Sequence, residues 1–180
     1  GVSGLIPDAF GHLTALAGEG GHITVAPSND EESALLGILR ARFGHVSAER
    51  VISGIGLVNL YEAVCTRDGI TPKAMLPSTV TDAALAKSDA QCIQAVSLLT
   101  SFLGNVSGNL VLSLGARGGV FLGGGILPRL GDTFDVALFR KRFEAKGRFS
   151  AYLEDIPSWI ITAATPALIG ASRALDLLPP

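Results

Sequence analysis

The chain has 180 residues, 48% hydrophobic and 17% charged, with a formal net charge of −2. That composition excludes a disordered chain and fits one domain with a well-buried core. It leaves no electrostatic footprint for nucleic acid or an anionic membrane, so any anionic ligand must be held by local groups. Cys65 and Cys92 stand far apart without zinc-ribbon spacing, which points to buried free thiols and a reducing, cytoplasmic compartment. No signal peptide appears and the first residue is glycine, not methionine, so the chain is expected to be a processed or excised piece.

In chain order, residues 2–6, 13–17 and 21–26 are short apolar or alternating runs separated by Pro-Asp and glycine-rich turns. They predict an antiparallel meander of three strands, with Ile23 and Val25 facing one way and His22 and Thr24 the other. Ser28 and Glu31 have capping-box spacing before a helix that reaches Phe43 and stops at Gly44. That helix is expected to bury Leu35, Ile38, Leu39 and the stem of Arg42. Ser47 caps a short helix with Glu49 in its first turn, where the helix dipole favours a carboxylate. Gly54 and Gly56 are expected to break the chain before a helix from Leu57 to about Val64, and residues 66–80 read as loop. Ser88 and Gln91 repeat the capping-box pattern.

Residues 90–116 then run without a charge, long enough to span a bilayer. However, Gln94, Ser97, Thr100, Ser101, Asn105, Ser107, Asn109 and Ser113 would find no partners in lipid. Cys92, Val96, Leu99, Leu103, Val106 and Leu110 form one apolar stripe instead, and Ser97, Ser101, Asn105 and Gly108 a face small enough for close approach. A buried helix is the expectation. Val120-Phe121-Leu122 reads as a short buried strand running into Gly123, Gly124 and Gly125. A helix over 134–145 stopped by Gly147, a strand over 156–162 and a final helix capped by Thr165 with Pro166 at its first position complete the domain. Leu177-Leu178-Pro179-Pro180 could begin a linker. Initial antiparallel strands followed by helices packed on a mixed sheet make an α/β layered domain.

Two constellations carry chemistry. Glu19-Gly20-Gly21-His22, with Glu49 thirty residues on from Glu19, sets two carboxylates and an imidazole on glycine-loosened connections. Carboxylates accept hydrogen bonds and imidazole accepts and donates, so the set suits several hydroxyls at once. Read alone, the first motif could equally be a solvated turn. Glu19, His22, His45 and Glu49 include the ligand types of a divalent metal, but without a His-Glu-x-x-His spacing or a supporting cysteine. The second constellation, Gly118 to Arg129, ends a strand in three glycines and leaves bare backbone where a flat ring or phosphate can approach. It is neither a Walker loop nor a Rossmann fingerprint.

Residues 16–27, His45-Val46-Ser47-Ala48-Glu49-Arg50-Val51-Ile52-Ser53-Gly54, Gly56-Leu57-Val58-Asn59-Leu60-Tyr61 and residues 118–129 together closely resemble the bacterial glucokinases. The resemblance runs over essentially the whole chain, through Lys146-Gly147-Arg148-Phe149 and Asp155-Ile156-Pro157. It implies the ribonuclease H-like, actin-like ATPase fold, with two α/β lobes closing over sugar and ATP. Residues 1–180 would be the larger, C-terminal lobe of a two-lobe sugar kinase whose N-terminal lobe is absent. By resemblance Glu19, His22 and Glu49 bind D-glucose hydroxyls, Gly123, Gly124 and Gly125 lie beside the adenosine, and Gly1 is the last glycine of a phosphate turn.

The implied activity is glucose phosphorylation in glycolysis with ATP and Mg2+. The family's Asp-x-Gly-Gly-Thr phosphate loop and its Asn-Asp catalytic base are missing, so no residue here is expected to be catalytic and the fragment alone is expected to be inactive. The cysteine-rich zinc site of related sugar kinases is missing too, and Pro166-Ala167-Leu168 replaces a Pro-Gly-Leu. Family members often dimerise, which admits a homodimer. The alternative is a non-catalytic sugar-binding or oligomerising module of a larger fused regulator, and a metal-dependent hydrolase is a more distant one.

Overall fold

The computed structural model describes residues 1–175, and the Leu177-Leu178-Pro179-Pro180 stretch lies outside them. The chain opens with a hairpin of β1 (Val2–Pro7) and β2 (Leu13–Gly18), antiparallel from Val2↔Gly18 to Pro7↔Leu13. Its turn is built by Asp8, whose carboxylate accepts from the Phe10 and His12 backbone N–H at 2.8 and 2.9 Å and meets the His12 imidazole at 2.9 Å. These bonds, chiefly that to the His12 side chain, hold the Asp8 carboxyl below its usual range.

The third expected strand is absent. A single 3₁₀ turn, Gly20–His22, takes its place, closed by the His22 N–H donating to the Glu19 carbonyl at 2.9 Å. Gly20 packs tightly there, because a Cβ would lie 3.0 Å from the Val2 side chain. Residues 23–25 then run antiparallel to residues 45–48, joined by the Thr24↔Ser47 bridge.

Helices follow. α1 (Asp30–Phe43) is capped one residue later than expected, by the Asn29 side chain accepting from the Glu32 N–H at 2.8 Å. It buries Leu35, Leu36 and Leu39, whereas Ile38 is half-buried and Arg42 is exposed over the Phe43 ring. α2 (Glu49–Ile52) and α3 (Gly54–Arg67) are separated by Ser53 alone, whose hydroxyl accepts from the Gly56 N–H at 3.0 Å. Gly54 and Gly56 therefore begin a helix instead of breaking one. Gly56 is required by packing: a Cβ there would sit 2.8 Å from the Val51 backbone.

α4 (Pro77–Leu85) occupies part of the expected loop, with proline at its first turn and Val80 and Thr81 buried. α5 (Ala90–Leu114) is capped by Asp89 accepting from the Cys92 N–H at 2.9 Å, again one residue past the expected capping serine. It is long and apolar enough to cross a membrane, yet 67% of its most apolar window is buried inside the fold. It is a core helix.

The rest of the chain is β3 (Val120–Leu122), α6 (Ile126–Leu130), α7 (Val136–Glu144), α8 (Ser150–Glu154), β4 (Ser158–Ile160) and α9 (Pro166–Leu175). β3 and β4 pair in parallel, with Phe121 stacked on Trp159 at 4.7 Å on an exposed face, so this strand is buried on one side only. The fold is α/β and helix-rich, but the single mixed sheet expected is resolved into two two-stranded sheets, one antiparallel and one parallel.

α5 belongs to both hydrophobic clusters. The first gathers α1 to α4 around Leu57, Leu60, Leu99 and Phe102, and the second gathers β3, α6, α7 and α8 around Val111, Phe139 and Phe143. Small residues on α5 let α7 come close: a Cβ on Gly104 or Gly108 would lie 2.4 Å from the Phe139 or Phe143 carbonyl oxygen. Glu32 of α1 is 1% exposed and accepts from Arg142 of α7 at 2.8 and 3.0 Å, from the Ser101 hydroxyl of α5 at 3.1 Å and from the Ser28 N–H at 2.7 Å. A buried carboxylate needs that degree of satisfaction.

Candidate sugar-contact site

The 3₁₀ turn after β2 and the first turn of α2 bring His22 and Glu49 together. His22 Nε2 lies 3.5 Å from Glu49 Oε2, with the two side chains 65% and 49% exposed. Both are therefore open to a ligand, and a neutral imidazole there can still donate from one nitrogen and accept at the other. The turn lies close to both the chain start and Glu49. A Cβ on buried Gly21 would reach within 3.9 Å of Glu49 Oε2 and 3.7 Å of the Gly1 Cα, so Gly1, Gly21 and Glu49 share one small neighbourhood.

Glu19 caps the same 3₁₀ turn through its backbone and bridges to Val2. Its carboxylate makes no hydrogen bond or ion pair among the described residues, and it is exposed. Gly123, Gly124 and Gly125 lie elsewhere, exposed between β3 and α6, with Gly124 at φ +124° where only glycine is comfortable. A Cβ on Gly124 or Gly125 would meet nothing within 4 Å, so the backbone there is bare.

His45 does not join the site. Its Nε2 is 2.9 Å from the Thr24 hydroxyl, which removes one member of the metal set weighed from sequence. Among the described residues, no group of three or more His, Cys, Asp or Glu side chains is placed to hold a metal ion. Two clefts of about 300 and 310 Å³ are lined by other residues, one by Glu32, Gln94, Ser101, Lys141 and Arg142, the other by Val2, Gly4, Leu16, Leu110 and Leu114. Neither includes Glu19, His22 or Glu49.

Supporting residues escaped the sequence reading. Asn59 of α3, 4% exposed, donates from Nδ2 to the Arg50 carbonyl at 3.1 Å and so holds α2, the helix that carries Glu49. Arg50 lies over the Phe43 ring at 3.9 Å, which ties the same helix to the end of α1. A buried asparagine in an otherwise apolar helical stripe was the available signal.

The family model described as Glucokinase matches residues 1–177. A glucokinase of Chromobacterium violaceum is 50% identical over 181 residues, covering 100% of this chain and 52% of its own length. One from Paramagnetospirillum magneticum is 51% identical over 170 residues, covering 94% of this chain and 53% of itself. The chain thus spans about half the length of the curated relatives it matches. Among solved structures, a glucokinase from an Antarctic psychrotroph superposes with a TM-score of 0.89 at 35% identity, covering 98% of this chain and 54% of that one. A glucokinase from Balamuthia mandrillaris in complex with glucose shares the fold at a TM-score of 0.75 and 23% identity, over 86% of this chain and 45% of that one.

Proposed function

The chain belongs to the glucokinase family, and we propose that its parent enzyme transfers the γ-phosphoryl group of MgATP to the 6-hydroxyl of D-glucose in the cytoplasm. In that reading residues 1–180 are the C-terminal, ribonuclease H-like lobe, and an N-terminal lobe of the same polypeptide brings the catalytic base and a phosphate loop. The observation that carries the reading is the meeting of His22 and Glu49 at 3.5 Å on two short, separately anchored turns, both side chains open to a ligand.

Phosphoryl transfer asks a protein mainly for positioning and charge stabilisation. The Glu19 and Glu49 carboxylates accept from sugar hydroxyls, and His22, steadied by Glu49, adds a bond of either polarity. A sugar with one hydroxyl misplaced leaves one of these groups unpaired once the site closes, and that is the source of selectivity.

The bare backbone at Gly124 and Gly125, next to Gly123, fits the close approach of an adenosine, and Gly1 sits against Gly21 where a phosphate turn would meet the sugar contacts. Mg2+ would enter on the phosphates of ATP. Its chemistry when bound is to neutralise charge on the transferring group.

The test is glucose kinetics of the enzyme in which this chain is joined to its N-terminal half. Glu49→Ala or His22→Ala removes a hydrogen bond to or near a charged group, so the glucose KM rises by about 10- to 100-fold. An unchanged glucose KM in both variants refutes the assignment.

A further inference from the structure

Neither turn that carries the sugar contacts is self-supporting. The Gly20–His22 turn has no side-chain cap, and α2 is a four-residue helix whose N-cap, Ala48, offers no side-chain bond. Single turns are weak on their own because nucleation costs more than one hydrogen bond returns. What joins them is the short antiparallel pairing of residues 23–25 with residues 45–48. Val25 N–H donates to the Val46 carbonyl at 3.1 Å and Ala48 N–H to the Ile23 carbonyl at 3.0 Å. Val25, Val46, Ser47 and Ala48 are buried, so the inner side of this pairing is fixed by the core.

The outer side is fixed differently. Thr24 Oγ1 and His45 Nε2, 2.9 Å apart and both exposed, make the side-chain hydrogen bond across the pairing. Thr24 is two residues past His22, and His45 four residues before Glu49. We infer that Thr24 and His45 are positioning residues that set the spacing between His22 and Glu49, and with it the affinity for the sugar. The bond forms with either neutral tautomer, since hydroxyl and ring nitrogen can exchange donor and acceptor roles. It gives a role to the histidine that the structure removes from the metal set. The inference rests on the sugar-contact reading above.

The experiment measures glucose and ATP kinetics of the two-lobe enzyme as Thr24→Val, Thr24→Ser, His45→Ala, Thr24→Val/His45→Ala and, for reference, Glu49→Ala. Thr24→Val keeps the shape and removes the hydroxyl. One neutral hydrogen bond predicts about a fivefold rise in glucose KM. kcat should stay within about twofold and the ATP KM unchanged, a split that general loss of fold does not produce. Thr24→Ser restores the parent value, and the double variant is no worse than either single.

Parent-like glucose KM in Thr24→Val and His45→Ala, with a raised KM in Glu49→Ala, overturns this inference and leaves the sugar reading standing. No change in Glu49→Ala either, nor in the His22→Ala variant above, overturns both. Additive singles, or kcat falling together with the unfolding midpoint, overturn the positioning role alone.

Discussion

The contact of α5 with α7 allows a sharp test, because the same substitution at two helical glycines should have opposite signs. Gly37 lies mid-way along α1, exposed, and a Cβ there would meet nothing within 4 Å. Gly37→Ala therefore expresses only helix propensity and should stabilise by about 0.5–1 kcal/mol. Gly104 has the same propensity to gain. Its Cβ, however, would fall 2.4 Å from the Phe139 carbonyl oxygen, 2.9 Å from Arg142 Cβ and 3.2 Å from the Phe143 N–H nitrogen.

Two of those three neighbours are main-chain atoms, so no rotamer change relieves the clash, and α7 must retreat by roughly 1 Å to restore ordinary contact. Overpacking of that kind costs about 1–3 kcal/mol, and here the shift also pulls Arg142 from Glu32. Gly104→Ala should thus be net destabilised by about 2 kcal/mol, lowering the melting midpoint by roughly 4–8 °C for a chain of this size. Urea and thermal unfolding of the two variants beside the parent are the assay. A Gly104→Ala protein as stable as the parent, or stabilised like Gly37→Ala, would refute the close-packing argument.

Two further outcomes are expected. Glu32→Ala leaves the Arg142 charge buried without its partner and should cost about 3–5 kcal/mol in urea denaturation, whereas Glu32→Met/Arg142→Met should recover most of that. A double variant as unstable as the single contradicts the unpaired-charge explanation. The Cys92 thiol is pushed up to about 12 by burial, from an ordinary 9.0. A pKa raised on folding means stability is fully present below pH 9 and is lost towards pH 12, by up to about 1.4 kcal/mol per pH unit. Burial raises Cys65 and Tyr61 as well and adds to this fall, while burial lowers Lys146 and opposes it. Unfolding measured from pH 8 to 12 should decline less steeply in Cys92→Ala, and identical alkaline limbs in the two proteins would count against the buried thiol.

Much of the helical framework was legible because it rests on local rules. The apolar period of α5, the proline opening α9 and Gly44 at φ +72° ending α1 each follow from short-range chemistry. Cap positions slipped by one residue at α1 and α5, where Asn29 and Asp89, side chains as well suited as the neighbouring serines, accept from the Glu32 and Cys92 N–H groups. The misread elements are those decided by tertiary contact. Gly54 and Gly56 look like breakers until α2 is seen pressed against Gly56, with Pro77 of α4 beside Gly54, and the alternation over residues 21–26 suggests a strand although its partner, residues 45–48, supplies a bridge at one position only. At the site, the resemblance implied that Glu19, His22 and Glu49 serve one ligand, and the structure places His22 3.5 Å from Glu49. The roles of Thr24 and Asn59 were not, because each acts through a neighbour and neither carries a motif.

A single uninterrupted rod of 25 residues, α5, belongs to both halves of the interior and runs about 38 Å. It contains no proline, and its Gly104 and Gly108, the places where such a rod would ordinarily flex, lie clamped beneath α7. The bench bearing His22 and Glu49 and the bench bearing the bare glycine turn are thereby bolted to one girder. Along that girder no proline and no uncovered glycine offers the seat of a hinge.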